Sequence, residues 1–289
     1  MLAAFTLACP SLARATYSIT ALDRETGELG GAGASCVPYA VDLIYGAVPG
    51  SGVLNSQAFF VEELKARALS LLGEGRSAAE VLAGVTDQNL YPESAKTQWG
   101  IVDVSGGFAS FTGPEAQAFA GDLGRVSADG RFVFTVQGNL LTSQKVLDQA
   151  ARAFEASGCD LADRLISGLE AASAGGEGDR RCTPEGRPAK SAYLDVTRPD
   201  GSSVHISLPD VSPEDPIVLL RASYTTYRAD HPCPASTPNL DGGAPPSVQG
   251  QPGEASAGCS LSRRGSRAFG AALLALGALG LVRRLRPSP

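Results

Sequence analysis

The chain has 289 residues, 43% of them apolar and 6% aromatic, enough for a sizeable core and for one globular domain with a tail. A formal charge of −6, with no long basic run in the central region, argues against a nucleic-acid partner. With only two histidines, His205 and His231, neither a Ser-His-Asp triad nor a histidine-rich metal site has a basis, and both are read as structural. Setting aside Cys9 and Cys259 near the two ends leaves Cys36, Cys159, Cys182 and Cys233, a count that fits an oxidising compartment. Four cysteines permit three pairings. In one of them Cys159–Cys182 clamps a helical segment while Cys36–Cys233 ties the start of the domain to its end; the alternative is buried thiols.

In chain order, an apolar run over residues 2–12 ends in Ala13-Arg14-Ala15, the small-x-small pattern after which a signal peptidase cuts. Residues 1–15 therefore read as a secretion signal, although the stretch before the apolar run has no Lys or Arg. A rival site is Leu7-Ala8-Cys9, which is similar to a lipoprotein box with Thr6 in place of an aliphatic residue. Cleavage after Ala15 leaves Thr16 at the N-terminus. Such a threonine carries a hydroxyl and a free α-amine on one residue, so it is both nucleophile and its own base.

The next segments read as strands at 16–23 and 29–36 about the turn Arg24-Glu25-Thr26-Gly27-Glu28, then at 41–48 and 53–58. Val61, Leu64, Ala68, Leu71 and Leu72 share a helical face that Gly73 and Gly75 end, and Ser77-x-x-Glu80 is a capping box opening a second helix. Strands follow at 98–104, 108–112, 117–122 and 132–137. Two more helices carry the stripes Val146, Ala150, Ala153, Phe154 and Leu161, Leu165, Leu169, Ala172, before Gly175-Gly176. A hairpin of 189–197 and 203–208 precedes a last helix from Pro213 to about Tyr227. Strand runs alternating with helix pairs predict an α/β (α+β) fold, two sheets face to face with helices outside. This four-layer α/β/β/α sandwich is the architecture of N-terminal-nucleophile hydrolases. Residues 16–231 are expected to form that domain.

Residues 232–257 turn to Pro, Gly, Ser and Ala without apolar periodicity, which marks a linker. Residues 258–289 then hold Gly258-Cys259-Ser260, an apolar stretch at 268–282, and Arg283, Arg284 and Arg286. Fifteen helical residues span about 22 Å, short of the roughly 30 Å hydrocarbon core of a bilayer. The arrangement resembles the myxobacterial C-terminal sorting signal, which implies processing near Cys259, export and sorting machinery as partners, and cell-surface display, with the helix as a transient anchor. The other reading is an ordinary C-terminal membrane helix.

Within the domain several groups are candidates for chemistry. Ser35 ends the second strand, where it either hydrogen-bonds the Thr16 amine or is a plain strand-end serine. Asp179-Arg180-Arg181 follows a glycine-rich break; its arginines either grip an anionic substrate through the guanidinium fork or form a local ion pair with Asp179. Cys36 is an alternative nucleophile without a paired histidine. Gly30-Gly31-Ala32-Gly33 lacks the Lys-Ser ending of a phosphate loop and is expected to permit close packing inside a strand. No cofactor or metal is called for.

The segments TYSITALDRETGELGGAGAS, GIVDVSGGFASFTG, VQGN, GDRRC with SAYLDV, and LPD followed by DPIVLL make the chain resemble the Ntn-hydrolase-like family catalogued as domain of unknown function 1028, over about residues 16–227. It departs from that family's pattern at Cys36, where a longer polar residue is frequent, and at Cys182 after Arg181. The resemblance implies amidohydrolase-like folding and places Asn139, with N–H groups around Gly138, as oxyanion donors for attack by Thr16 on an amide or peptide-like bond. Gln137-Gly138-Asn139 also reads as a strand-end turn in which glycine allows positive φ. Peptidoglycan-binding modules in some relatives point to cell-wall fragments as the substrate class; a non-catalytic ligand-binding protein on the same fold is the alternative.

Overall fold

The computed structural model describes residues 16–156 and 158–233. The secretion signal, nearly all of the linker, Cys259 and the apolar stretch at 268–282 lie outside the described residues. Among the described residues no helix is long and apolar enough to cross a membrane.

The protein is a mixed α/β fold of two antiparallel sheets with helices packed on them. The first strands are β1 (Thr16–Asp23) and β2 (Leu29–Ser35), then β3 (Tyr45–Val48) and β4 (Gly52–Ala58). Helices α1 (Glu62–Gly73) and α2 (Ala78–Thr86) precede β5 (Thr97–Asp103), β6 (Phe108–Thr112), β7 (Gly121–Val126) and β8 (Phe132–Asn139). Helices α3 (Lys145–Ala156) and α4 (Leu161–Ala172), the hairpin β9 (Ser191–Thr197) and β10 (Ser203–Leu208), and α5 (Pro216–Asp230) complete it. One sheet has six strands in the order β10-β9-β2-β1-β8-β7, the other four in the order β3-β4-β5-β6.

Strand β1 shows how sequence sets this up. Its alternation places Tyr17, Ile19 and Ala21 in one cluster with Val146, Ala150 and Phe154 of α3 and Leu161 and Leu165 of α4. The opposite face meets the second sheet: Leu22 and Leu29 pack with Val53, Val102 and Val133. The four-stranded sheet packs Leu54, Trp99 and Ile101 against Leu64, Ala68, Leu72 and Val81 of α1 and α2. Close approach depends on glycine in β2. A Cβ on Gly30 would lie 2.6 Å from the Leu165 side chain, and one on Gly31 2.6 Å from the Tyr45 ring.

Local signals govern the helix starts. Ser77 and Glu80 form the expected capping box on α2. Helix α5 starts later than expected, at Pro216 rather than Pro213, with the Asp215 side chain accepting the Ile217 N–H. Pro216 disfavours helical backbone at the residue before it and is accommodated at the first helical position. The expected strand at 41–48 is in part a 3₁₀ turn, Val41–Ile44, whose buried Val41 and Ile44 stand one turn apart. Strand β7 falls at Gly121–Val126 instead of 117–122, as a half-exposed edge with a weak alternating pattern.

Asp103, at the end of β5, accepts hydrogen bonds from the Ala78 and Gly107 N–H groups and from the Ser105 hydroxyl. Burial works to raise its pKa, but these donors together outweigh it and hold the carboxyl below its ordinary range. A folded pKa below the unfolded one contributes stability that is present above about pH 4 and is lost as pH falls through the folded value. Asp103→Asn is therefore expected to cost about 1–2 kcal/mol at pH 7 and to flatten part of the acid-side loss. Urea unfolding between pH 3 and pH 7 measures both; an unchanged acid limb would remove Asp103 from this role.

Both disulfides differ from the pairing weighed above. Cys36 bonds Cys182, and Cys159 bonds Cys233. The first joins the end of β2 to the loop before β9; the second joins the start of α4 to the segment after α5. Pairing followed the folded neighbours of each cysteine, which sequence spacing does not report.

Candidate active site

Thr16 opens β1, a central strand of the larger sheet, and in register it stands between Ser35 of β2 and Asn139 of β8. All three are buried. The Thr16 N–H donates to Asn139 Oδ1 at 3.2 Å, and its hydroxyl donates to Ser35 Oγ at 3.3 Å. Its carbonyl accepts from Gln57 Nε2 at 3.1 Å. Every polar atom of this residue thus has a fixed direction.

The structure gives the expectations about its neighbours their detail. Ser35 engages the threonine hydroxyl, not its nitrogen. Asn139 presents its side-chain oxygen to the Thr16 nitrogen and acts as an acceptor at this contact. Gln137-Gly138-Asn139 is not a turn: β8 continues through Asn139, and Gly138 lies in the ladder opposite Tyr17. The missing Cβ at Gly138 makes room for Leu141, whose side chain would sit 2.7 Å from it.

Beneath Thr16 the interior between the sheets is polar. Gln57 Nε2 also donates to Gln98 Oε1 at 2.8 Å, and Gln98 Nε2 reaches the Gly138 carbonyl at 2.9 Å. Ser18 donates to Gln57 Oε1 at 2.7 Å and accepts from Gln137 Nε2 at 2.7 Å. Most polar groups in this interior have their hydrogen bonds met, and the buried Gln137 Oε1 is an exception among the described residues. Gln57 and Gln98 were missed in the sequence, where they stand among other polar residues, Gln57 after Asn55 and Ser56 in β4 and Gln98 after Thr97 in β5.

Backbone strain flanks the same point. Ala58, after Gln57, has φ 67° and Leu140, after Asn139, has φ 53°. Left-handed backbone costs a non-glycine residue roughly 1–2 kcal/mol, and such residues concentrate where a site is over-determined by its surroundings. Pockets open on both sides of Ala58. One is apolar and lined by Thr16, Val37, Val41, Ile44 and Phe60; the other is polar and lined by Lys96, Glu115, Gln117 and Asn139.

Asp179-Arg180-Arg181 supports this site from behind. Asp179 is fully buried; its carboxylate accepts the Cys36 N–H at 2.8 Å and the Arg181 guanidinium at 3.1 and 2.8 Å. Arg180 is exposed, and its N–H donates to the Leu140 carbonyl. The loop therefore stitches the residue after Ser35 to the residue after Asn139. Cys36 is in a disulfide and offers no nucleophilic thiol. His205 pairs with Asp195 at 2.7 Å and with Asp42 at 3.5 Å, and His231 stacks on Tyr227. Among the described residues no group of His, Cys, Asp and Glu is arranged to hold a metal ion.

In structure the chain is similar to a protein from Silicibacter pomeroyi assigned to the DUF1028 family model, at 28% identity and a TM-score of 0.63, over 74% of this chain and 86% of that one. It also aligns with two structures of Anbu from Hyphomicrobium sp. strain MC1, each 12% identical. The Gly-1 mutant covers 75% of this chain and 97% of its own at a TM-score of 0.36, and the other covers 74% and 96% at 0.33. At that level the likeness bears on neither fold nor chemistry. No curated protein matches the chain. The model for DUF1028, described as a family of unknown function, matches residues 16–224, from the buried threonine into the last helix, and the chain belongs to that family.

Proposed function

We propose that this protein is an exported amidohydrolase of the N-terminal-nucleophile type, with Thr16 as nucleophile after removal of residues 1–15. The observation that carries the reading is the placement of Thr16 at the head of β1 with its nitrogen on Asn139 and its hydroxyl on Ser35. Two sheets sharing an interior, each with helices against it, fit the four-layer α/β/β/α sandwich of such enzymes.

Cleavage after Ala15 converts the Thr16 nitrogen from an amide to an α-amine with an ordinary pKa near 8. That amine takes the proton from Oγ1, directly or through a water, as the oxygen bonds the substrate carbonyl carbon. Collapse of the tetrahedral intermediate breaks the C–N bond, and the proton leaves with the amine product. Water then hydrolyses the acyl ester and frees Thr16. Asn139 orients the amine, Ser35 the hydroxyl, and Gln57 with Gln137 and Gly138 holds the strand ends in place. Asp179, Arg180 and Arg181 position the loop behind them. The reaction needs no cofactor. Peptide-like amides, cell-wall fragments among them, are the substrate class, and two disulfides fit an exported protein. Surface display rests on the sorting-signal pattern with Cys259 and the apolar stretch at 268–282.

N-terminal sequencing and intact mass of the exported protein are expected to show a chain starting at Thr16. A start at Cys9 with a lipid adduct would overturn the mechanism, because Thr16 would then have no free amine.

A further inference from the structure

The two pockets that share Ala58, the apolar one also lined by Thr16, differ in chemistry and in size, and together they select a substrate. The apolar pocket is walled by Val37, Val41, Ile44, Ala58 and Phe60, and no charged side chain lines it. Its free volume is about 10 Å³, room for one water-sized or methyl-sized group. Its wall is not loose: the Lys65 ammonium donates to the Leu43 carbonyl at 2.7 Å, and Asp42 pairs with His205, so the 3₁₀ turn Val41–Ile44 is held at both sides of Leu43. Across Ala58, the polar pocket offers about 270 Å³ and carries Lys96 and Glu115, 4.0 Å apart.

The direction of the substrate follows from the proton's route. This step rests on the proposed threonine chemistry. The proton taken from Oγ1 travels on the Thr16 nitrogen, which Asn139 holds, and Asn139 lines the polar pocket. The leaving nitrogen that receives this proton must lie on that side. The acyl group, bonded to Oγ1, then points to the apolar pocket.

We propose that the site takes amides whose acyl group presents a methyl-sized apolar substituent, as in propionyl or N-acylated alanyl compounds, and whose amine portion is polar or charged and passes by Lys96 and Glu115. A charged acyl substituent would lose its hydration in an apolar pocket with no partner there. A leucine-sized one exceeds the free volume of about 10 Å³.

Two measurements on the matured protein, starting at Thr16, test this. In the first, calorimetry follows binding of propionamide, 4-methylpentanamide and succinamate, which needs no turnover. Propionamide is expected to bind at least tenfold more tightly than either of the others. In the second, kcat/KM is compared for N-acetylalanyl and N-acetylleucyl amides of a dipeptide, in the wild type and in Ile44→Ala, with Val41→Ala as a second enlargement if the first does not fold. The alanyl preference is expected to be tenfold or more and to fall about tenfold in the enlarged pocket. Binding of propionamide in the expected order without any turnover would refute the threonine mechanism and leave the pocket assignment standing. Equal or stronger binding of the larger or charged amide, binding of none of the three, or a preference untouched by both enlargements would overturn the pocket assignment.

Discussion

Thr16→Ala is expected to lower amide hydrolysis by about 10⁴-fold or more while the protein still folds, because the proposed nucleophile beside the apolar pocket is lost. The stability cost is small. The hydroxyl makes one hydrogen bond, to Ser35 at 3.3 Å, and the flanking strand ladder is untouched. Loss of that bond costs about 1 kcal/mol. Thr16→Ser keeps the hydroxyl and the amine and is expected to retain measurable turnover, reduced because serine lacks the methyl group that restricts χ1. The measurement is kcat/KM alongside urea unfolding, with N-terminal sequencing of each variant to establish that residues 1–15 are gone. Full activity in Thr16→Ala would show that another group is the nucleophile, and absence of hydrolysis in the matured wild type would favour a ligand-binding protein on this fold.

The second large effect is expected from the Cys36–Cys182 disulfide. It closes a separation of 146 residues, and loss of such a crosslink costs about 3–5 kcal/mol on the loop-entropy account. It also sits beside the site. Cys36 follows Ser35, and its N–H is held by Asp179, in the loop that Arg180 ties to Leu140 beside Asn139. Replacing both cysteines by alanine is therefore expected to lower kcat as well as stability. The Cys159–Cys233 bond, with a separation of 74 residues, provides the control, because it anchors α4 to the end of the domain. Its removal is expected to cost a similar amount of stability with kcat preserved at temperatures where the variant remains folded. Denaturant unfolding with activity assays at 15 °C separates the two. A kcat unaffected by loss of Cys36–Cys182 would show that the loop does not position the site.

The expectations that succeeded and failed divide along a physical line. The capping box at Ser77 and Glu80, the stripes of α3 and α4, and strand β1 depend on residues a few positions apart, so they were legible. The turn Val41–Ile44 and the start of α5 failed at short range for a different reason: the short segment Val41-Asp42-Leu43-Ile44 and two nearby prolines each fit more than one local conformation. Gln57 and Gln98 escaped notice because their partners, Thr16 and Gly138, belong to the other sheet.

The sequence by itself determined the alternation of strands and helices and the family the chain belongs to, because periodicity, turn chemistry and segment order are properties of the chain. Only the tertiary structure decided that Ser35 meets the threonine hydroxyl, that Asn139 offers its oxygen to the threonine nitrogen, and that Asp179 turns Arg181 inward. It also chose which cysteines pair, joining Cys36 to Cys182 across 146 residues. Such contacts depend on how strands are ordered in a sheet and how two sheets face each other, and a linear pattern carries the propensity of each strand without the identity of its neighbours.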